Sequence, residues 1–216
     1  MQESEPLITP GFLLNAYANG YFPMAESRDD PKIFWLKPEL RGIFPLDKFH
    51  ISRSLARRMR SGAYRATLSQ DFAGVIYGCA AREETWINAR IRALYLELHQ
   101  LGAAHSIEIW QEYQLVGGVY GVTLGATFFG ESMFSRATDA SKLALAHLVE
   151  HLNHQGYQLF DTQFLTPHLA SLGAIEIPRK IYMQKLAKAL NIDADFAPER
   201  SLPSGYEVMQ RRTQAS

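Results

Sequence analysis

Three consecutive stretches in the middle of the chain have the pattern of β-strands, and they constrain the fold more than any other feature. They span residues 105–110, 115–122 and 126–134. The segments between them, 112–114 and 124–125, are short and contain turn-forming residues. Strands joined by such short turns lie side by side and run in opposite directions. The sequence therefore predicts an antiparallel meander of three strands.

Helices and strands alternate after the meander. The predicted order is a helix with an apolar stripe at 145–152, a strand at 158–163, a short helix after 166–167, a strand at 174–177 and a helix at 180–190. This order is typical of the N-acyltransferase (GNAT-like) fold, an α/β (α+β) fold with a mixed central sheet. In that fold two central parallel strands diverge and leave a cleft for an acyl donor. Here the diverging pair would be 126–134 and 158–163.

The flanks of the chain differ from this central part. We expect a small N-terminal subdomain at 1–38, a GNAT-like domain at 39–190 and a polar, loosely ordered C-terminal tail at 191–216. The net charge is zero, so any nucleic acid would have to bind a local basic patch. The single cysteine, Cys79, rules out an internal disulfide framework. No apolar run has the features of a signal peptide or a membrane span, which predicts a cytoplasmic protein.

Asp161 and Gln163 follow the apolar run 157–160 at alternating positions. Alternation along a strand directs both side chains to the same face. A carboxylate and a carboxamide at the end of a buried strand are costly unless they have partners. The pair therefore indicates a functional site, although two polar groups that only satisfy the backbone are an alternative.

The segment 135–140 bears on the choice of acyl donor. Coenzyme A enzymes of this fold bind pyrophosphate with a glycine-rich loop at the start of a helix. The segment Ser135-Arg136-Ala137-Thr138-Asp139-Ala140 has no glycine, and Asp139 would repel a phosphate. An acyl-CoA-dependent N-acyltransferase is therefore a disfavoured alternative.

His147-Leu148-Val149-Glu150-His151 fits the H-x-x-E-H pattern of some zinc proteases, with His154 one turn further along. These histidines lie opposite the apolar stripe of the predicted helix, so we expect them to face solvent. A short motif in that position is weak evidence for a metal hydrolase. We expect no metal site.

A series of motifs extends in order along most of the chain and resembles the leucyl/phenylalanyl-tRNA–protein transferase family of bacteria. The motifs are Gly20-Tyr21-Phe22-Pro23, His50-Ile51-Ser52-Arg53-Ser54, Thr85-Trp86-Ile87, His105-Ser106-Ile107-Glu108, Val116-Gly117-Gly118-Val119-Tyr120-Gly121-Val122, Gly130-Glu131-Ser132-Met133-Phe134-Ser135, Ala140-Ser141-Lys142 and Ala170-Ser171-Leu172-Gly173-Ala174. Any one of them would be weak evidence, but the set in this order is specific.

The resemblance implies a reaction. An enzyme of this family moves leucine or phenylalanine, with methionine as a further candidate, from its tRNA to the α-amino group of proteins that begin with Arg or Lys, which marks them for N-degron proteolysis. The chemistry is aminolysis of an ester and implies no metal or organic cofactor. A tRNA-binding module without catalysis is the non-enzymatic alternative, and Asp161 and Gln163 argue against it.

The resemblance also implies roles for single residues. Gln163 matches the catalytic glutamine, Asp161 the carboxylate that orients it, and Glu131 the acid that binds the basic side chain of the acceptor. The positions of the aminoacyl pocket are Val119, Phe128, Met133, Leu148, Leu152 and Phe160. The positions that contact the tRNA 3′-adenosine are Trp86, Met24, Tyr17 and Tyr95. Met24 departs from the family pattern, because a second tryptophan is common there.

A local cluster of arginines completes the expected site. Arg53, Arg57, Arg58, Arg60 and Arg65 fall within a short segment that includes a helix predicted to begin after Ser52. A solvated helix face is the alternative for such a cluster. Together with the resemblance, it indicates binding of the tRNA backbone. The expected partners are Leu-tRNA or Phe-tRNA and proteins with N-terminal Arg or Lys. We expect no membrane partner and a monomer.

Overall fold

The computed structural model describes residues 8–196 and 202–214. Its helices are α1 (Pro10–Ala18), α2 (Arg53–Arg60), α3 (Phe72–Ala80), α4 (Ala89–Gln100), α5 (Ala140–His154), α6 (Pro167–Ser171), α7 (Arg179–Ala189) and α8 (Gly205–Gln214). Its strands are β1 (Phe22–Met24), β2 (Phe34–Leu36), β3 (Leu40–Phe44), β4 (Arg65–Leu68), β5 (Ala104–Gln111), β6 (Gln114–Leu124), β7 (Thr127–Ser135), β8 (Leu159–Gln163) and β9 (Ile175–Pro178). The predicted order of elements in the main body is confirmed.

A seven-stranded mixed sheet forms the centre of the molecule, in the order β4-β5-β6-β7-β8-β3-β9. Strands β5, β6 and β7 pair as an antiparallel meander, as predicted. Only β7 and β8 pair in parallel among the described strands. A parallel pair needs a crossover connection, and α5 supplies it.

The sheet opens between β7 and β8. Their pairing begins at Thr127 and Leu159 and ends at Phe129 and Asp161, although β7 continues to Ser135. A β-bulge lies on each side of this opening: Glu131 is the unpaired extra residue between β6 and β7, and Thr162 is the extra residue between β3 and β8. Bulges bend a strand and redirect its side chains. The two bulges therefore account for the divergence of the strands.

Two hydrophobic clusters cover the opposite faces of the sheet. The neighbouring residues Phe128 and Phe129 belong to different clusters, as the alternation of a strand requires. One cluster joins the sheet to α1, α3, α4 and α7, and the other joins it to α2, α5 and α8. The opening between β7 and β8 is thus held between two packed layers.

The N-terminal segment contains a small two-stranded sheet. Strands β1 and β2 pair antiparallel, from Phe22 with Leu36 to Met24 with Phe34. Arg41 of β3 fastens this unit to the main sheet, because its Nη1 donates to the Gly20 carbonyl at 3.1 Å. Its guanidinium also lies 4.6 Å from the centre of the Phe22 ring.

The expectation of a loosely ordered tail is wrong for the described part of that segment. Phe196 is buried and stacks against Phe128, and helix α8 buries Val208 between α2 and α5. The polar composition around these two residues conceals them, because single apolar anchors give no helical or strand period.

Candidate active site

A cavity of about 240 Å³ occupies the opening between β7 and β8. Its wall includes Glu131, Ser132 and Met133 from β7 and Thr162 and Gln163 from β8. Residues outside these strands complete the lining: Phe22, Met24, Arg82, Trp86, Phe164, Thr166 and Leu169. The cavity therefore brings together residues that are far apart in the sequence.

Asp161 lies fully buried beneath the cavity, and protein donors occupy both of its oxygens. Arg41 binds it through Nε at 2.9 and 3.1 Å and through Nη2 at 2.6 Å. The Tyr182 hydroxyl donates at 2.7 Å, and the Gln163 backbone N–H donates at 2.8 Å. Although burial alone lowers the pKa of Arg41, the Asp161 carboxylate raises that pKa above its ordinary value. The two groups form a buried, charged pair.

Gln163 ends β8 in a left-handed backbone conformation, with a φ of 56°. This conformation is uncommon for a residue with a side chain and is found preferentially at functional sites. Asp161 holds the backbone N–H of Gln163, while Nε2 of the carboxamide donates to Glu131 Oε1 at 3.2 Å. Asp161 thus fixes the main chain of Gln163, and Glu131 orients its carboxamide.

Glu131 forms a closed set of short contacts with two tyrosines. The Tyr17 hydroxyl lies 2.7 Å from Oε1, the Tyr95 hydroxyl lies 2.6 Å from Oε2, and the two hydroxyls lie 2.7 Å apart. Three hydrogen bonds in a ring need three protons, and the tyrosines supply two. The third proton is one that Glu131 binds in its neutral form, in which one of the two tyrosines accepts from the carboxyl group; when Glu131 is ionised, both tyrosines can donate to it and no hydrogen joins the two hydroxyls.

The environment of Glu131 agrees with this count of protons. Burial raises the pKa of Glu131 to about 7, against the opposing effect of the tyrosine hydrogen bonds. Among the described hydrogen bonds and ion pairs, none joins Glu131 to a lysine or arginine. Burial also raises the pKa of Tyr17 and Tyr95 well above the usual range, so both remain donors. The carboxylate therefore has donors but no cation bound to it.

The four residues expected at the tRNA adenosine separate into two pairs. Trp86 and Met24 line the cavity and are partly exposed. Tyr17 and Tyr95 are fully buried, so the expectation that they line a nucleotide surface needs correction. Their rings pack in the core and their hydroxyls are directed to Glu131. Period and composition do not distinguish a stacking tyrosine from one that holds a buried acid.

The six expected aminoacyl-pocket residues share one hydrophobic cluster. Met133 lines the cavity and packs against that cluster. The other five are fully or almost fully buried inside it: Val119, Phe128, Leu148, Leu152 and Phe160. Met133 is therefore the contact point between the open cavity and this apolar layer.

The arginine cluster lies on and beside α2. Arg53, Arg57 and Arg60 are exposed at positions four and three residues apart, which places them on one face of the helix. Arg58 lies on a different face and pairs with Asp139 at 3.3 Å. Arg65 is on β4, with its guanidinium 5.7 Å from the centre of the Trp110 ring.

The H-x-x-E-H histidines do not face solvent, contrary to the expectation. His147 and His151 are buried, and Phe196 packs against His151, whose Nε2 lies 2.6 Å from the Phe196 carbonyl oxygen. Burial lowers the pKa of His147 to about 4. Within residues 8–196 and 202–214, no three His, Cys, Asp or Glu side chains are grouped as a metal site would require. Phe196 and α8 pack against part of the face that was expected to meet solvent, and His154 on that face is exposed as predicted.

Arg41 and Tyr182 are site residues that the sequence reasoning missed. Arg41 lies on a strand that was recognised, and an arginine within the apolar sequence Leu40–Phe44 is a signal that it has a buried partner. The identity of that partner depends on the pairing of β3 with β8, which joins residues more than one hundred positions apart.

Sequence comparisons cover nearly all of the chain. The family described as "Leucyl/phenylalanyl-tRNA protein transferase" matches residues 43–187, and its N-terminal domain matches residues 7–39. A protein of Ruegeria pomeroyi named leucyl/phenylalanyl-tRNA–protein transferase is 64% identical over 97% of this chain and 99% of its own length. A protein of the same name from Cereibacter sphaeroides strain KD131 is 62% identical over 98% of this chain and 99% of its own length.

Solved structures give a weaker likeness. The structure of L-PGS from Bacillus licheniformis has a TM-score of 0.41 and 16% sequence identity, and the match covers 72% of this chain and 53% of that one. This TM-score is too low to support any conclusion.

In the part of the chain that the structure describes, each helix lacks the length or apolar character needed to span a bilayer.

Proposed function

This chain belongs to the leucyl/phenylalanyl-tRNA–protein transferase family and is therefore an aminoacyltransferase, and we propose that the cavity between β7 and β8 is its active site. There it transfers leucine or phenylalanine from aminoacyl-tRNA to the α-amino group of proteins that begin with Arg or Lys. The observation that carries this proposal is the direct contact between Gln163 and Glu131 at the edge of the cavity. A neutral polar group for the reacting amine thus lies beside an acid for a basic side chain.

Glu131 recognises the acceptor. Its carboxylate has two tyrosine donors but, within the described part of the chain, no cation bound to it, so a guanidinium or ammonium group of the acceptor supplies the missing charge. A charge-assisted hydrogen bond in a partly desolvated cavity is stronger than one in water. The basic side chain also favours the ionised form of Glu131, which releases the proton that the ring of hydrogen bonds holds. This explains a preference for Arg and Lys.

Gln163 positions the attacking amine. Because its Nε2 donates to Glu131, the carboxamide oxygen is available to accept a hydrogen bond from the neutral α-amine. The amine attacks the ester carbonyl, a C–N bond forms, the bond to the 3′ ribose oxygen breaks, and the proton lost by the amine passes to that oxygen. A carboxamide is a weak base, so its contribution is orientation. Well-oriented groups can lower a barrier by roughly 7–11 kcal/mol.

Asp161 supports Gln163 from beneath. With donors on both oxygens, it has no role in binding substrate directly. Its bond to the Gln163 backbone N–H stabilises the left-handed conformation that directs the carboxamide into the cavity. Asp161 is thus a positioning residue.

The donor occupies the other side of the cavity. Trp86 provides a stacking surface for the terminal adenosine, and Met24 lines the same cavity. The leucine or phenylalanine side chain enters past Met133 toward Val119, Phe128, Leu148, Leu152 and Phe160. A flexible methionine at this entrance suits side chains of different shape.

The arginines of α2 bind the tRNA backbone outside the cavity. Arg53, Arg57 and Arg60 share an exposed face, and Arg58 and Arg65 flank it. Each phosphate contact releases counterions, so tRNA affinity should fall steeply as salt increases.

We assign the main sheet and its helices to a GNAT-like domain at 39–190, with a small subdomain at 1–38 and the segment 191–216 as a C-terminal extension. The protein acts as a cytoplasmic monomer.

One assay tests the proposal. The protein is incubated with labelled Leu-tRNA and with peptides that differ only in beginning with Arg or Ala. We expect label on the Arg peptide, and a loss of roughly a hundredfold or more in Gln163→Ala. Gln158→Ala, at an exposed glutamine just before the same strand, is the matched control. Absence of transfer by the unaltered protein, or full activity of Gln163→Ala, would contradict the proposal.

A further inference from the structure

A second cavity, of about 540 Å³, adjoins the active site and is not used in the mechanism above. Arg82 and Met133 line both cavities. The side chain of Arg82 donates to the Met133 carbonyl and so lies across the boundary between them. The second cavity is therefore a direct neighbour of the proposed active site, with Arg82 and Met133 as the shared wall.

The lining of the second cavity is suited to an anion. It contains two arginines, two serines and one histidine, and no carboxylate: Arg82, Arg136, Ser135, Ser141 and His168. Arg136 is held in place by a bond from Nη1 to the Leu115 carbonyl at 3.2 Å and by the Phe134 ring at 5.0 Å. An arginine fixed in this way keeps further N–H groups for a ligand.

The start of helix α5 adds to the positive field. Ser141 is the second residue of this long helix and lines the cavity. Asp139 precedes the helix but does not cap it, because its carboxylate pairs with Lys142 at 2.9 Å and with Arg58 at 3.3 Å. Two cations therefore offset the charge of Asp139, which was expected to repel a phosphate here, and Asp139 is not among the residues that line the cavity. The positive end of the helix favours an anion.

His168 provides independent support for a ligand. Its Nε2 atom is buried and has no hydrogen-bond partner among the described residues. Burial, and then the charge of Lys142, lowers the pKa of His168 below its ordinary value. A buried polar atom without a partner at the wall of a cavity indicates a group that binds there.

We infer that the second cavity binds the phosphodiester group that precedes the terminal adenosine of the donor tRNA. This inference rests on the proposed function. An adenosine on Trp86 would send its 5′ phosphate past Arg82 toward Arg136, Ser141 and His168. Arg58, which pairs with Asp139 at the start of α5, then connects the cavity to the arginines of α2. The single-stranded end of the tRNA thus follows one positive path from the ester to the helix.

Two donors that differ by one phosphodiester test this inference. One is adenosine carrying a 3′ leucyl ester, and the other is the same ester with a cytidine joined through the 5′ phosphate. Steady-state transfer to the Arg peptide is measured for the unaltered protein, for Arg136→Gln and for Arg92→Gln. Arg92 is the matched control, because its guanidinium also lies over an aromatic ring, Tyr77 at 4.8 Å, but outside both cavities.

The unaltered protein should use the dinucleotide donor at roughly tenfold lower concentration, which is the scale of one charge-assisted contact. Arg136→Gln should lose this advantage and keep its KM for the adenosine ester. With full tRNA, the slope of log affinity against log salt should fall by about 0.7, the value for one phosphate on a single strand. Arg92→Gln should match the unaltered protein. Melting temperatures of both variants verify that they are folded.

Three outcomes would overturn the inference. They are an unchanged dinucleotide advantage in Arg136→Gln, an equal weakening of both donors, and inhibition by coenzyme A that Arg136→Gln alone removes while the dinucleotide advantage remains. The third would assign the cavity to the pyrophosphate group of a ligand such as coenzyme A. Failure of the proposed function gives a different result, in which the unaltered protein transfers leucine from neither donor nor from Leu-tRNA.

Discussion

Asp161 and Glu131 are carboxylates on neighbouring strands, and the fold treats them differently. Asp161 receives a buried arginine, a tyrosine and a backbone N–H. Glu131 receives two tyrosine hydroxyls and a carboxamide, and burial raises its pKa to about 7. The first has its counter-ion within the protein, whereas the described residues provide no bound cation for the second.

This difference shows how one cleft uses one type of group for two purposes. A buried charge must be paired, because desolvation is expensive. Asp161 is paired permanently, so it is suited to holding Gln163 in place. Glu131 is paired only when a substrate provides the cation, so it is suited to recognition. The comparison can be tested by changing each partner in turn.

The largest expected effect comes from removing the cation of Asp161. Arg41→Met leaves a buried carboxylate without its partner, which should lower the free energy of unfolding by about 3–5 kcal/mol. Urea denaturation at pH 7 measures it. Arg179→Met is the control, because Arg179 pairs at 2.6 Å with Glu39 on the surface, where such pairs contribute about 1 kcal/mol or less. An equal decrease in the free energy of unfolding in the two variants would show that the buried Arg41–Asp161 pair stabilises the fold no more than the surface pair does.

The next effect concerns the recognition of acceptors. Glu131→Gln keeps the size of the side chain and removes its charge, so KM for the Arg peptide should rise by about tenfold to a hundredfold. The donor KM should change little. Steady-state kinetics with Arg and Ala peptides measure the preference, and Glu176→Gln, at an exposed position on β9, is the control. An intact preference for Arg in Glu131→Gln would remove the assignment.

The raised pKa of Glu131 predicts a dependence on pH. Acceptor affinity should fall as pH decreases through about 7, because protonation removes the charge that binds the cation. Glu131→Gln should lack this change, while the titration of the acceptor's own amine should remain in both. Profiles of kcat/KM from pH 5.5 to 9 distinguish the two titrations.

The raised pKa of Glu131 also makes the stability of the folded protein depend on pH. The folded protein binds a proton on Glu131 more tightly than the unfolded chain, whose ordinary value is 4.5. This contribution is present below pH 4.5 and is lost as pH rises through about 7. The melting temperature of Glu131→Gln, measured relative to the unaltered protein, should therefore be higher at pH 8 than at pH 5. No difference between the two pH values would show that the folded and unfolded pKa are equal.

The smallest expected effect comes from one tyrosine donor. Tyr95 lowers the pKa of Glu131 by donating to it, so Tyr95→Phe should move the acid limb of the profile to higher pH by up to about one unit. At pH 8.5 the variant should differ little from the unaltered protein. Tyr113→Phe, at an almost fully exposed position, is the control. A shift to lower pH would mean that Tyr95 does not donate to Glu131.

The sequence predicted the elements well where the pattern is local. Strands β5, β6 and β7 follow one another with short turns, and the helices after Ser52 and Thr166 begin as expected, with side chains of these two residues that accept from backbone N–H groups at 3.2 Å. Such signals need only neighbouring residues. The pattern failed where a distant element decides exposure. His147 and His151 were expected in solvent, but both are buried, and Phe196 packs against His151.

The site divides along the same line. The sequence identified Asp161, Gln163 and Glu131 as polar residues on strands, and the family motifs gave each a role. It did not show that Glu131 and Thr162 are bulge residues, since a bulge is defined by the partner strand. It also misplaced Tyr17 and Tyr95, because the depth of a tyrosine depends on how helices α1 and α4 pack.

The order of strands and helices, the positions of the polar residues and the membership of the family were thus determined by the amino-acid sequence. The tertiary structure decided which acid is neutralised. Arg41 binds Asp161 because β3 pairs with β8, and Tyr17 and Tyr95 meet Glu131 because their helices pack on the opened sheet. Local patterns set the chemistry of each side chain, but charge and desolvation depend on neighbours that only folding brings within a few ångströms.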